Sequence, residues 1–463
     1  MQAQFEVALT QAQVDAGVTT ADLDRLEALR YTPREERTAW SEVAAAPTTG
    51  LLENILQEAV DNLLPLVPPE WLRVERAKPR NTPQSGPLEL VGGTRIERRP
   101  GAPTRYAKML LLAIDHLERA VNRDIHTAAR LVPELAMLGS QLDHIASLGS
   151  LANERLSALH TMDNSRVASC IHELLVGAAL VRFGREPKML REDPEAKTPD
   201  FRLENFFFPI VVECKRRVDV LAYERREADH VALLFRALCH RTDQVGWPPL
   251  IVEADFETEM HLVTPSEFVE RCTQAIANGK PEAMPWGRVV VREGSMPNDA
   301  SVGRYAPEHL KAVFEHDFSV GQWDGFIGEI SMSGRRPPMA IAWRSSSEHA
   351  RLKKARGITS LFADAAKQVG AGDGGVIYIA YPEGTRAEHA DARTADTLKR
   401  IRSQEWHYEG GRQIPLVLVS RLYSVATDEG MPDFVENTQQ IVDAKYSSIE
   451  RYFPELVFTY PAE

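Results

Sequence analysis

Asp200, Glu213 and Lys215 are the residues of this chain best suited to chemistry. Glu213-Cys214-Lys215 ends the apolar run Phe206-Phe-Phe-Pro-Ile-Val-Val212, and Pro199-Asp200 lies thirteen residues upstream. A β-branched and aromatic run of this kind reads as a buried strand. Every second side chain of a strand shares a face, so Glu213 and Lys215 project together while Val212 and Cys214 point into the core. If Asp200 reaches the same spot from a neighbouring strand, two acids and a lysine converge, which is what a hard cation such as Mg²⁺ and an activated water require. The three side chains are expected at a polar strand edge, where their removal leaves the fold intact.

The succession Pro199-Asp200, then Glu213-Cys214-Lys215, resembles the PD-(D/E)xK nuclease superfamily. The resemblance implies an α/β protein of restriction-endonuclease-like fold, a mixed sheet flanked by helices, and a metal-dependent nuclease acting on phosphodiester bonds, in DNA first. It implies that Asp200, Glu213 and the backbone carbonyl of Cys214 hold Mg²⁺, with Mn²⁺ as a substitute. It further implies that Lys215 orients the attacking water and offsets charge in the transition state, and that the product carries a 5′-phosphate. A setting in bacterial defence or repair rests on the same analogy. The superfamily commonly adds a glutamate on the helix before the first strand, helping to hold the metal through water or binding a second ion, and Glu173 fits. That helix is expected over Ser165–Phe183, where Val167, Cys170, Ile171, Leu174, Leu175, Ala178 and Val181 follow helical spacing. At about 100° per residue Glu173 falls at the border of this stripe and can lean over the sheet edge, with Gly177 one turn later leaving room.

Each half of the pattern also occurs elsewhere. Pro432-Asp433 is followed by Asp443-Ala444-Lys445, but Glu436–Lys445 lacks the composition of a buried strand and reads as helix or loop. Glu195-Ala196-Lys197 precedes Pro199-Asp200 in a charged, turn-like stretch. Only Asp200, Glu213 and Lys215 have helix, strand and strand in the required order. The competing reading makes Glu213 and Lys215 a surface ion pair at a strand end, worth little energetically, in a catalytically inactive domain that binds nucleic acid or protein.

The chain has 463 residues, 43% apolar and 26% charged, an ordinary globular composition with room for two or three domains. Its net charge of −12 runs against the basic footprint usual for nucleic-acid enzymes. Locally the sign reverses, with Arg182, Arg185, Lys188 and Arg191 before the motif, Lys215-Arg216-Arg217 and Arg225-Arg226 after it, and a second run at Arg351–Arg356. The expected partner is nucleic acid, DNA first; a regulatory protein and self-association are left open. No apolar stretch approaches the ~20 residues of a membrane span, and Met1–Glu6 has neither a basic nor an apolar leader segment. A cytoplasmic protein without membrane contact is expected. The four cysteines, at 170, 214, 239 and 272, form no CxxC and are expected to be reduced core residues. No phosphate loop, zinc-protease pair or serine elbow competes with the acid–lysine set.

The elements that must position the site divide as follows. Residues 1–64 read as short helices, including one at Thr20–Leu29. Residues 65–104 read as a linker with eight prolines and a hairpin around Gly92-Gly93. Residues 105–160 carry helical periodicity, and 161–463 would form the nuclease-like domain. The core needs a further helix and strand after Lys215, for which two pairs compete: Val218–His240 with Pro249–Phe256, and Glu348–Val369 with Gly375–Ala380. The second is favoured because Lys367-Gln368 near its helix end resembles the superfamily, and it makes about 218–345 a β-rich insertion. Its strand-like pieces are Leu250–Phe256, Arg288–Val291, Gly325–Ile330 and Met339–Trp343. Ile414–Ser420 adds another buried strand.

Overall fold

Helices and strands alternate along the chain and build two mixed seven-stranded sheets flanked by helices. The computed structural model describes residues 38–42, 53–78, 88–91, 94–95, 101–118, 125–193, 197–204, 206, 209–217, 221–248, 250–279, 282–293, 324–329, 339–370, 373–383, 391, 394–399, 413–426, 432–443, 446 and 448–458. Numbered along the chain, the first sheet contains β1 (Thr38–Glu42), β4 (Pro187–Met189), β5 (Phe201–Leu203), β6 (Ile210–Arg216), β12 (Gly374–Glu383), β13 (Gln413–Ala426) and β14 (Pro432–Asp443), in the order β1-β14-β13-β12-β6-β5-β4. The second contains β2 (Leu88–Val91), β3 (Thr94–Arg95), β7 (Leu250–Phe256), β8 (Glu282–Met284), β9 (Gly287–Glu293), β10 (Gly325–Glu329) and β11 (Met339–Ser345), in the order β3-β2-β10-β11-β7-β9-β8.

The chain leaves the first sheet after Arg216 and returns to it at Gly374. β12 then runs parallel to β6, with Val376 opposite Val212 and Ala380 opposite Arg216. Ile251 pairs instead with Ala340 and Arg292 in the second sheet. A parallel neighbour demands a long crossover, and here the crossover is most of the second sheet with its helices.

Helices cover both faces of β6, which explains why its residues are apolar on both. On one side α1 (Glu53–Leu63), α2 (Pro69–Ala77), α3 (Arg105–Leu117), α4 (Ile125–Ser140), α5 (Leu142–Ser147), α6 (Ser150–Ala158) and α7 (Asn164–Arg182) precede or overlie the sheet. Leu56, Leu110, Leu135 and Leu174 share a core there with Val212, Cys214 and Tyr378. On the other side Ile358 and Phe362 of α10 (Glu348–Ala366) pack on Val211, Ile377 and Ile379. The second sheet has its own core, where Val231 and Leu238 of α8 (Ala222–Val245) and Phe268 of α9 (Pro265–Asn278) meet Phe256, Ile341 and Trp343.

Three sequence expectations are corrected. Residues 38–42, expected among short helices, form β1 against β14, while Thr20–Leu29 lies outside the described residues. The stretch 65–104 is more than a linker: it holds α2, whose Glu75 accepts from the Thr104 amide at 2.9 Å, and the hairpin strand β2 is hydrogen-bonded into the second sheet opposite β10. Residues 436–443 are neither helix nor loop but part of the twelve-residue strand β14. Its polar side chains are buried yet satisfied. Glu436 accepts from the Val457 and Phe458 amides at 2.9 and 2.7 Å, and Thr438 meets Ser420 at 2.8 Å. Buried polar groups with partners defeat a rule that looks only for apolar runs. All four cysteines are buried and unpaired, and among the described residues no helix is long and apolar enough to cross a membrane.

Candidate active site

The short length of β5 creates the site. β5 pairs with β6 only from Leu203↔Ile210 to Phe201↔Val212, and the Asp200 amide adds one more bond to the Val212 carbonyl at 3.1 Å. Beyond it the Asp200 side chain takes over the ladder's role, accepting from the Cys214 amide at 2.7 Å. A strand residue's N–H and C=O point to the same side, so the Cys214 carbonyl faces the Asp200 side too. Gly177 lets α7 lie close on β5: a Cβ there would come within 2.9 Å of the Phe201 ring and 2.7 Å of Leu148.

Glu213 and Lys215 project from the opposite face of β6, under the C-terminal end of α10. The Lys215 ammonium meets Glu213 Oε1 at 2.5 Å and Gln368 Oε1 at 2.6 Å. The Gln368 amide nitrogen donates to the Thr198 carbonyl at 3.3 Å, tying the Pro199-Asp200 turn to the lysine. Lys367, by contrast, pairs with Asp364 on an exposed surface. Neither a polar strand edge nor a surface ion pair describes this pair, because Glu213 is 1% exposed. β6 lies inside the sheet with helices on both sides, so its carboxylate is as buried as its valines.

Glu173 comes from α7, on the other face. Its carboxylate forms an ion pair with Arg155 of α6, whose second nitrogen donates to the Leu190 carbonyl at 3.4 Å. Sequence reasoning did not single out Arg155, and no local pattern marks it, since it lies eighteen residues from its partner on another helix. Arg155→Ala is expected to lower stability by about 1–3 kcal/mol, the cost of stranding a buried acceptor. The double variant Arg155→Ala/Glu173→Gln should recover most of that loss, read from urea midpoints at constant slope.

The electrostatics couple the four residues. Burial, then the Asp200 charge, holds the Glu213 carboxyl well above the usual range, against the pull of Lys215. Burial and Asp200 likewise raise Glu173 despite Arg155. Asp200 is raised by burial, although the Cys214 amide and Lys215 oppose the shift. Burial works to lower the Lys215 ammonium, but Glu213 and Asp200 outweigh it and the net shift is upward. The Cys214 thiol is pushed far up by burial and the surrounding acids, which removes it as a nucleophile.

The donor set suits a hard divalent cation. Carboxylate oxygens and a backbone carbonyl are the ligands Mg²⁺ prefers, and Glu213 Oε2 is buried without a hydrogen-bond partner. Among the described residues no three His, Cys, Asp or Glu side chains come together as a metal cluster, so Glu173, expected to join Asp200 and Glu213 around the ion, does not converge with them. The basic surroundings are less available than their sequence implies. Arg191 pairs with Glu154, Lys188 with Glu204, Arg217 with Glu224 and Arg351 with Asp396, while Lys354 is buried against Glu227. Arg216 is buried over the Phe458 ring, 3.7 Å from Glu134. Comparison with known proteins finds no matching family model, no matching curated protein and no matching solved structure.

Proposed function

We propose that the protein is a metal-dependent nuclease of restriction-endonuclease-like fold that hydrolyses phosphodiester bonds, most readily in DNA. The observation that supports this reading is the contact of Asp200 with the Cys214 amide where β5 ends, with the Lys215–Glu213 pair on either side of Cys214 in β6. Asp200, Glu213 and the Cys214 carbonyl would hold Mg²⁺ or Mn²⁺, which when bound polarises a phosphate oxygen and acidifies a water. Glu173, engaged by Arg155 on the α7 side, would act on the ion only at longer range, through water.

The chain's own groups do the rest. Lys215 has three N–H donors; Glu213 and Gln368 take two of them, leaving one to aim at a phosphate oxygen or the attacking water. Gln368 fixes the direction of that donor. Gln368→Ala is therefore expected to cut kcat about tenfold with little change in KM, measured on a labelled duplex, while Gln368→Glu should raise the lysine's affinity for its proton and shift the alkaline limb of the pH–rate profile upward.

The proposal is tested by incubating the protein with supercoiled plasmid, single-stranded DNA and RNA, each with Mg²⁺, Mn²⁺ or EDTA, and identifying the ends. Metal-dependent cleavage leaving 5′-phosphates supports it; no cleavage of any of the three with either metal contradicts it. A binding domain that does not cut is the second reading, favoured by one feature: lysine and arginine already neutralise Glu213 and Glu173.

A further inference from the structure

Three arginines gather around one carboxylate where β6 ends, on the face of the strand opposite Glu213 and Lys215. Arg216 is the last residue of β6, Arg105 the first of α3, and Arg130 stands one turn before Glu134 on the same side of α4. Glu134 Oε2 accepts from the Arg105 guanidinium at 2.9 Å and lies 3.7 Å from that of Arg216. The group is interior, the side chains of Arg216 and Glu134 being 5% and 1% exposed. Yet Nε of Arg105 and both Nε and Nη1 of Arg216 are buried without a hydrogen-bond partner among the described residues. Glu134 Oε1 is also unpartnered, and turning it to one of these donors would leave the others unused. The Phe458 ring, whose centre is 5.3 Å from the Arg216 guanidinium carbon, does not occupy them either, because the N–H groups of a guanidinium point outward in its own plane.

The full charge count is positive. Arg105, Arg130, Arg216 and Arg217 stand against Glu134, Glu224 and Glu436, the carboxylates that pair with them or act on them. Of these acids, Glu224 belongs to Arg217 on the other face of the strand, and Glu436 is already held by the Val457 and Phe458 amides. His172 adds no charge, since burial and then Arg216 push its ring down to about 3. Burial and then the charges of Arg105, Arg216 and Arg217 push the Arg130 guanidinium down to about 9 against the pull of Glu134, so it keeps its proton at neutral pH and the repulsion stands. An Arg–Glu–Arg bridge that serves stability alone needs no third arginine and leaves no donor over. Like charges held together inside a protein, with N–H groups to spare, are costly unless an anion joins them.

We propose that Arg105, Arg130 and Arg216 form a binding site for a phosphate dianion, either inorganic phosphate or the phosphate of a mononucleotide. Guanidinium forks match phosphate oxygens in pairs. Several of them meeting at one point suit a tetrahedral group with about two charges better than a carboxylate with one. The burial of Arg216 leaves no path for a continuous strand, so a small anion is selected, entering between the partly exposed Arg105 and Arg130. Once bound, it would tie the start of α3 and the first half of α4 to the end of β6. The assignment is independent of the nuclease reading, which uses Glu213 and Lys215 on the other face of β6.

The test is calorimetric titration with inorganic phosphate, a nucleoside 5′-monophosphate and an unphosphorylated single-stranded oligonucleotide, in EDTA and at an ionic strength held constant with chloride. The titrations use wild type, Arg105→Gln, Arg216→Gln and Glu134→Gln. Wild type is expected to bind a small probe at a single site, and each arginine variant, having lost charged donors, at least about tenfold more weakly. Glu134→Gln keeps an acceptor for Arg105 and removes a repelling charge, so it should bind at least about fivefold more tightly, a gain that a purely structural bridge would not give. Tighter binding of inorganic phosphate identifies free phosphate as the ligand, and tighter binding of the monophosphate identifies a mononucleotide. If circular dichroism shows that Arg216→Gln does not fold, Arg105→Gln and Glu134→Gln decide. No binding of either small probe to wild type, binding that no folded arginine variant weakens, binding weakened by Glu134→Gln, or binding of the oligonucleotide alone overturns the proposal.

Discussion

Lys215→Ala is expected to reduce cleavage by at least about a hundredfold, the scale of losing one preorganised donor to a developing anion. The same substitution should cost about 1–3 kcal/mol of stability, because it strands a carboxylate that is 1% exposed. Glu213 can limit the cost by binding a proton, as its raised affinity already favours. Asp200→Ala should likewise abolish cleavage and lose stability on a similar scale, since the Cys214 amide loses its acceptor. Asp200→Asn keeps an acceptor oxygen and should be inactive but nearly as stable as wild type. These variants separate chemistry from folding when cleavage rates and chemical denaturation are measured on the same preparations. If Lys215→Ala and Asp200→Ala both cut at the wild-type rate, the site is assigned to the wrong residues.

The second large effect is a linkage between pH, metal and stability. Glu213 and Glu173 are raised above their ordinary value of 4.5 and Asp200 above its ordinary 3.8, in each case first by burial. For acids whose folded-state pKa is raised, the folded protein holds protons that the unfolded chain has already released. Their contribution to stability is then largest at or below the unfolded values and falls as pH rises toward the folded ones. In EDTA the melting temperature should therefore decline from about pH 5 through neutrality to the alkaline side. A divalent cation takes the place of those protons, so Mg²⁺ or Mn²⁺ should add about 2.7 kcal/mol of stability at a hundred times Kd and raise the melting temperature accordingly. The increment should grow as pH rises over the same window. Asp200→Asn should flatten the decline in EDTA and shrink the metal increment, because Asp200 is the charge that raises both glutamates. Ca²⁺ should give a thermal shift without cleavage, its loose geometry placing water poorly. A melting temperature indifferent to millimolar Mg²⁺ at pH 8 would favour a domain that binds without cutting.

What was legible in the sequence follows from how local each signal is. The pairing of Glu213 with Lys215 needs only the alternation of one strand, and the run ending at Val212 announces that strand. The helix carrying Glu173 shows its 3.6 period and begins, as its Asp163 cap dictates, within one residue of the expected start. The mixed α/β architecture with helices on the sheet faces is likewise readable from alternating patterns. Burial was misjudged because alternation tells which residues share a face but not what covers it; α10, more than 130 residues further on, closes over Glu213. Arg155 and Thr198 contribute through tertiary contacts that leave no periodic trace. β14 was missed for the opposite reason: Glu436, Thr438 and Gln440 look soluble, and only their partners in β13 and the C-terminal segment make them interior residues.

The proposed role of Asp200, Glu213 and Lys215 as a metal-dependent phosphodiester-cleaving centre is tested most directly by one comparison. Supercoiled plasmid is incubated with wild type and with Asp200→Asn, each with Mg²⁺ and with EDTA, and conversion to nicked and linear forms is followed over time. Conversion is predicted for wild type with Mg²⁺ alone. Equal conversion by both proteins, conversion that persists in EDTA, or none by wild type with Mg²⁺ would contradict it.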